Sequence, residues 1–201
     1  MFEWSWNNRA TGTSRPRLHK KILQLLQSWK IVLDVWCVSG WLSTYLTKEQ
    51  KYIWLSYSQS DIDAVKARWY EAYLVDLDNE LIPLENESVD CIYAGHIIEH
   101  FEKKELIQLM NEFHRVLKKW GSIILSAPTD YNSFFYAEWT HVRPYNHWSL
   151  PWLLHDFSFK NIDRMYPKLS FLPKKYQAVL RFPLFFLKNS IWKEIFARGK
   201  K

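Results

Sequence analysis

The sequence predicts an α/β domain built on a doubly wound, mostly parallel sheet. Three observations carry this: short β-branched runs alternate with stretches of helical period, each helical stretch is long enough to cross over between parallel strands, and the strand runs are continuously apolar, as strands covered on both faces must be. At 201 residues the chain buries one good core. A single domain over 1–201 is therefore expected, with a helical lead-in at 1–29, a sheet core at 30–128, and an insertion with C-terminal strands at 129–201.

Taken in order, residues 17–28 place Leu18, Ile22, Leu23, Leu25 and Leu26 at helical spacing. The period then changes: 30–36 (KIVLDVW) reads as a buried parallel strand, 37–40 as a loop and 42–49 as a helix. A strand at 52–57, a helix at 61–68 and a strand at 72–76 follow. The next repeat has a strand at 89–94 (VDCIYA), the clearest helix at 104–119 with Leu106, Leu109, Met110, Phe113 and Leu117 on one face, and a strand at 122–127 (SIILSA). Beyond Pro128 the pattern loosens to a helix at 149–157, late strands at 161–166 and 194–199, and an irregular apolar segment at 174–192.

Composition removes several classes of function. Forty-eight per cent hydrophobic and 24 per cent charged residues describe an ordinary globule, and no apolar stretch is long enough for a transmembrane helix. The first twenty residues lack the pattern of a secretory signal, so a cytoplasmic location is expected, and Cys37 and Cys91 are expected to be reduced and without chemistry. The net charge of +6 comes largely from Arg and Lys near both ends and reads as solvated termini. No stacked-aromatic RNA-binding pattern is present, and no nucleic-acid partner is expected. Residues 176–188 combine apolar bulk with cationic flanks, which suits weak peripheral membrane contact, but Pro183 interrupts the helix this needs and core packing is the expected use. The oligomeric state is not legible.

In open α/β sheets a ligand binds beyond the carboxyl ends of the strands, and the loop after the first strand brings backbone close to a cofactor. Here that loop reads Leu33-Asp34-Val35-Trp36-Cys37-Val38-Ser39-Gly40. It resembles the first motif of class I S-adenosylmethionine-dependent methyltransferases, an acid followed by glycines at alternating positions. Asp34 and Gly40 are in place, whereas Trp36 and Val38 stand where glycine is usual. The stretch from Leu81 to Tyr93 is similar to the family's approach to its fourth strand, and Gly95-His96-Ile97-Ile98-Glu99-His100-Phe101 to the HxxEH segment that follows. The passage from Glu112 to Pro128 resembles the RVLKPGG turn and fifth strand, with Trp120 at a glycine position. Thr140-His141-Val142-Arg143-Pro144-Tyr145 is similar to a segment of a small-molecule methyltransferase subgroup. These matches run in the family's order over about residues 30–160. A nicotinamide-dependent dehydrogenase fits less well, because GxGxxG is absent after the first strand.

The resemblance implies a Rossmann-like, seven-stranded sheet with an antiparallel last strand, and S-adenosylmethionine as cofactor. Its binding residues would be Asp34, Val35, Trp36, Cys37, Val38 and Gly40 in the first loop, Ser56 and Tyr57 after the second strand, Asp76 and Leu77 near the adenine, and Gly95 after the fourth strand. The family places an acid at the end of the second strand to hold both ribose hydroxyls; here that position is Ser56, which makes a weaker contact. His96, His100 and Asp130, in that order, are the candidate bases, and Tyr131, His141 and Arg143 the candidate substrate contacts. Blander readings stand beside these: Asp34 as a turn cap, Asp76 as a solvated strand-end acid, His141 and Arg143 as loop braces. His96 and His100 stand four apart, a metal-ligand spacing, but the sequence supplies no evident third ligand and no metal is expected.

The expected activity is methyl transfer to a small-molecule acceptor; the alternative is a catalytically degenerate binding or scaffold protein with a blocked cofactor loop. Glycine numbers 5 and tryptophan 12, against roughly fourteen glycines in an average chain of this size. Trp36, Trp54, Trp69 and Trp120 all fall where the family or the local backbone favours glycine, Trp69 and Trp120 at the left-handed position after a helix. A common cause would be a gene in which UGA encodes glycine, translated with a code in which UGA means tryptophan.

Overall fold

The structure, a computed structural model, describes residues 22–35, 42, 45–47, 49–130, 133–165 and 194–201. Its elements are β1 (Ile31–Val35), β2 (Lys51–Ser56), α1 (Gln59–Lys66), β3 (Glu71–Leu74), β4 (Val89–Gly95), a 3₁₀ turn (Ile98–His100), α2 (Lys103–Val116), β5 (Leu117–Pro128), α3 (Ser133–Ala137), α4 (Ser149–Asp156), β6 (Lys160–Met165) and β7 (Glu194–Lys200). One seven-stranded sheet runs in the order β3-β2-β1-β4-β5-β7-β6. The first five strands are parallel, and β7 is inserted antiparallel between β5 and β6. The doubly wound sheet with an antiparallel last strand is thus the observed architecture.

Period-2 alternation explains why both faces are covered. β1 sends Leu33 and Val35 into one apolar layer, with Ile92, Ala94 and the α2 residues Leu109, Met110 and Phe113. It sends Val32 into the other, with Trp54, Ile62, Cys91, Tyr93 and Leu26. Parallel pairing then brings strand ends to one edge: Val35 lies beside Leu55 and Ala94, Ser56 beside Leu74, and Gly95 beside Ser126. The chain reverses its direction of winding between β1 and β4, and that switch point is where an open α/β sheet leaves a crevice.

Several boundaries differ from the sequence reading, among them α1, which runs 59–66 rather than 61–68, and β5, which starts at Leu117 rather than 122. The helix expected to reach residue 119 stops at Val116, because Leu117 turns extended (φ −74°, ψ 130°) and starts β5 by pairing with Val89. The third strand ends at Leu74, two residues before Asp76. Residues 17–21, most of 36–44 and the segment 166–193 lie outside the described residues, and with them the N-terminal half of the lead-in helix, the cofactor loop and the irregular apolar segment.

The left-handed positions are the sharpest local result. Trp69 has φ 66° and Trp120 φ 67°. Trp69 N–H donates to the Lys66 carbonyl at 2.9 Å and Tyr70 N–H to the Val65 carbonyl at 3.5 Å, the Schellman pattern that puts Trp69 at C′ of α1. Trp120 does not follow a helix end directly, since α2 stops four residues earlier; it turns the chain ahead of Gly121. A Cβ on Gly121 would stand 2.8 Å from the Leu117 side chain and 2.9 Å from the Asp90 carbonyl, so the turn is too tight for two side chains pointing inward. Trp54 is 1% exposed, and its indole N–H has no hydrogen-bond partner among the described residues.

Candidate active site

The carboxyl edge collects most of the residues singled out in the sequence. Val35 ends β1, Ser56 ends β2 with the exposed Tyr57 just beyond it, Gly95 ends β4, and Asp130 follows β5. Asp76 and Leu77 lie just past β3. Trp36, Cys37, Val38, Gly40 and Tyr131 are outside the described residues.

Asp34 is fully buried, accepts from the Tyr52 hydroxyl through Oδ2, and leaves Oδ1 without a partner among the described residues. Desolvation lifts its pKa from 3.8 to about 7, against the lowering effect of the Tyr52 hydrogen bond. Ser56 Oγ accepts from Ser58 N–H (3.1 Å) and donates to the Asp61 carboxylate (3.3 Å). Asp61 was not singled out by sequence, because it sits five residues past the strand end; it reaches the same place because α1 begins so soon after β2. Burial raises its pKa, with Ser56 and Ser58 opposing. Asp76 accepts from Asp78 N–H (3.2 Å) and Asn79 Nδ2 (2.9 Å), and so caps its own exposed turn. Leu77 packs half-buried on the core.

After β4 the backbone enters the left-handed region at His96, φ 55°. Both ring nitrogens meet carboxylates: Nε2 lies 2.5 Å from Glu194 Oε1 at the start of β7, and Nδ1 lies 3.5 Å from Glu99 Oε1. Desolvation pulls this imidazole down, but the charge and hydrogen bond of Glu194 and the nearby Glu99 carboxylate outweigh it and push the pKa up to about 10. The two carboxylates thus favour the protonated form of His96, the first-ranked base candidate on sequence. Glu194, nearly a hundred residues away in the chain, carries no local signal that could have revealed this.

His100 follows in the 3₁₀ turn, hydrogen-bonded to the backbone of Thr140; desolvation lowers its pKa, partly offset by the Glu99 charge. Its ring packs edge-on against His141 (centroids 4.7 Å), whose Nδ1 meets the Phe135 carbonyl at 2.9 Å and whose ring stacks on Phe135. Glu99 is fully buried, and its backbone carbonyl accepts from Val142 N–H (2.8 Å) and Arg143 N–H (3.1 Å). Arg143 is thus engaged here through its backbone while its side chain is exposed. Asp130 N–H donates to the Tyr145 carbonyl (3.0 Å), its Oδ2 accepts from Asn146 Nδ2 (3.4 Å), and its buried Oδ1 has no partner among the described residues. A cavity of about 660 Å³ lies elsewhere, lined by Ile31 and Lys51 at the amino ends of β1 and β2 together with Leu84 and Arg115. It belongs to the opposite edge from these residues.

Residues 32–121 match the family model described as a methyltransferase domain. Among solved structures, the fold is similar to a SAM-dependent methyltransferase from Archaeoglobus fulgidus (TM-score 0.70, 18% identity, covering 92% of this chain and 91% of that one). A S-adenosylmethionine-dependent methyltransferase from Mesorhizobium loti aligns at TM-score 0.64 and 14% identity, covering 92% and 99%. The 1,6-didemethyltoxoflavin-N1-methyltransferase of Burkholderia thailandensis, solved with its substrate and S-adenosylhomocysteine, aligns at TM-score 0.62 and 12% identity, covering 93% and 77%. No curated protein matches the chain.

Proposed function

We propose that this chain, which has the class I methyltransferase fold and a methyltransferase-domain match over residues 32–121, binds S-adenosylmethionine at its carboxyl edge and passes the methyl group to a small-molecule acceptor. The observation that carries the reading is the convergence of Asp34, Ser56 with Asp61, Asp76 and Gly95 on the edge where β1 and β4 part. The residues fit the cofactor. A carboxylate is needed at the second strand to hold a ribose diol, and Asp61 supplies it beside Ser56 Oγ, 3.3 Å away. Asp76 and Leu77 offer an acceptor and an apolar surface to a purine, and the absence of a Cβ on Gly95 is what lets the Tyr93 ring lie against it, where a Cβ would stand 2.8 Å from the hydroxyl.

The bound sulfonium supplies an activated methyl group, so the protein's task is to align, exclude water and take a proton where the acceptor releases one. His96, bracketed by Glu194 and Glu99, orients and stabilises negative charge; Asp130, with one unpartnered oxygen, is the better proton acceptor. The insertion between β5 and β6, with His141 and Arg143, and the C-terminal segment select the acceptor, because loops carry specificity while the sheet persists.

Trp36 and Val38 favour a second reading, a degenerate methyltransferase fold kept for binding or assembly. Calorimetric titration of S-adenosylmethionine into the chain and into Trp36→Gly separates them. The expected result is weak or no heat with the parent and saturable binding with the variant; no binding by either overturns the catalytic reading.

A further inference from the structure

We infer that Glu99, His100 and His141 form a binding site for a divalent first-row transition-metal ion. One donor atom from each lies within 4.8 Å of the others. Ligation at about 2.0–2.2 Å would need only small side-chain adjustments to bring them round one ion. Two features separate this trio from a chance cluster. First, Glu99 is completely buried, and neither carboxylate oxygen has a hydrogen-bond partner among the described residues; His96 Nδ1 stands 3.5 Å from Oε1. The His96 imidazole approaches one of these oxygens without a hydrogen bond, and the second buried oxygen is left for a further cation to meet. Second, both imidazoles are oriented by backbone, His141 through the Phe135 carbonyl at 2.9 Å and His100 through Thr140. That is how metal-ligating histidines are characteristically held.

The sequence hid the trio because its third member lies about forty residues downstream of the other two. The 3₁₀ turn of Glu99 and the loop of His141 are joined by the two hydrogen bonds to the Glu99 carbonyl and by the contact of the His100 and His141 rings. Two imidazoles and one carboxylate suit zinc, iron(II) or cobalt(II) and leave coordination positions open for an oxygen ligand. The site stands independently of the methyl-transfer reading.

The test is titration of metal-free protein with Co²⁺, followed by its visible absorption, and competition with Zn²⁺. One equivalent is expected to bind, with loss of about tenfold or more in affinity in Glu99→Gln and in His141→Ala. His155→Ala, which alters a histidine with a 79% exposed side chain, should bind as the parent does. Circular dichroism of each variant checks folding, and His141→Ala, on a loop, guards against misfolding of the buried Glu99→Gln. Failure of the parent to take up stoichiometric metal at micromolar concentration overturns the site, as does undiminished binding by folded Glu99→Gln and His141→Ala.

An independent observation carries a second inference. The geometry points to glycine, encoded by UGA, at positions 69 and 120 of the natural protein. Trp69 and Trp120 hold left-handed φ angles of 66° and 67°, a region that costs a Cβ-bearing residue about 1–2 kcal/mol. Packing does not offset this, since the two side chains are 96% and 79% exposed. Sequencing the gene, together with peptide mass spectrometry of the protein from its native source, decides the matter. UGA codons and glycine masses at both positions are expected; UGG codons there overturn the inference.

Discussion

Replacing Trp69 and Trp120 by glycine should stabilise the fold, although each change deletes a large apolar side chain. The left-handed backbone costs a residue with a Cβ about 1–2 kcal/mol, and glycine gives back about 0.5–1 kcal/mol through the greater freedom of its unfolded chain. With side chains 96% and 79% exposed, little burial is lost, so each substitution should gain about 1 kcal/mol. Trp69 precedes β3 and Trp120 lies in β5, four strand spacings apart in the order β3-β2-β1-β4-β5, or about 19 Å. At that separation the effects should add to about 2 kcal/mol, or a rise in Tm of about 4–8 °C for a domain of this size. Urea denaturation at constant m value and thermal unfolding followed by circular dichroism measure both quantities. Trp139→Gly is the control, because Trp139 is 90% exposed but does not have a positive φ. There glycine should be neutral or destabilising by up to about 1 kcal/mol. Loss of stability in Trp69→Gly and Trp120→Gly, or equal behaviour of all three variants, would refute the reasoning.

Asp34 should make stability fall with pH. Its folded pKa of about 7 stands above the unfolded value near 3.8, so the carboxyl costs nothing below about pH 4 and lowers stability progressively to about pH 7, by roughly 4 kcal/mol in all. Asp34→Asn should remove that slope; denaturation curves at pH 5 and pH 8 with identical differences in parent and variant would contradict it. Asp61→Asn should weaken S-adenosylmethionine about tenfold in a chain that binds it, while leaving Tm nearly unchanged, since Asp61 is only partly buried; unchanged affinity by calorimetry would remove Asp61 from the ribose site. Arg115 donates to the carbonyls of Ile82 and Leu84, to Asn86 and to Glu112, so Arg115→Ala should cost about 2 kcal/mol and loosen the 81–87 segment. Hydrogen exchange reads this out, and unchanged protection at Ile82 would count against it.

Each element that owes its form to local chemistry was legible in advance. The continuous apolar runs of β1, β4 and β5 gave buried parallel strands, and the 3.6-residue spacing of Leu106, Leu109, Met110 and Phe113 gave α2. Boundaries were less legible. The end of α2 is set by Leu117 pairing with Val89, a contact whose partner is 28 residues away, and residue spacing within the helix cannot register it. The demand for a left-handed residue at 69 was visible because a helix stop is a local event; that at 120 was read from a helix stop too, but it falls inside β5, ahead of Gly121, which is crowded against Leu117 and Asp90.

The same division runs through the candidate site. Sequence alone determined the sheet, its parallel core and the placing of Asp34, Ser56, Asp76 and Gly95 at or near the carboxyl ends of their strands. These follow from periodicity and strand ends, which are properties of neighbouring residues. Tertiary structure alone decided the partners: Glu194 on His96, Asp61 on Ser56, His141 beside Glu99 and His100. Protonation states and ligand sets depend on which charges and donors lie within a few ångströms. Chain order does not carry that distance, and the folding of the sheet creates it.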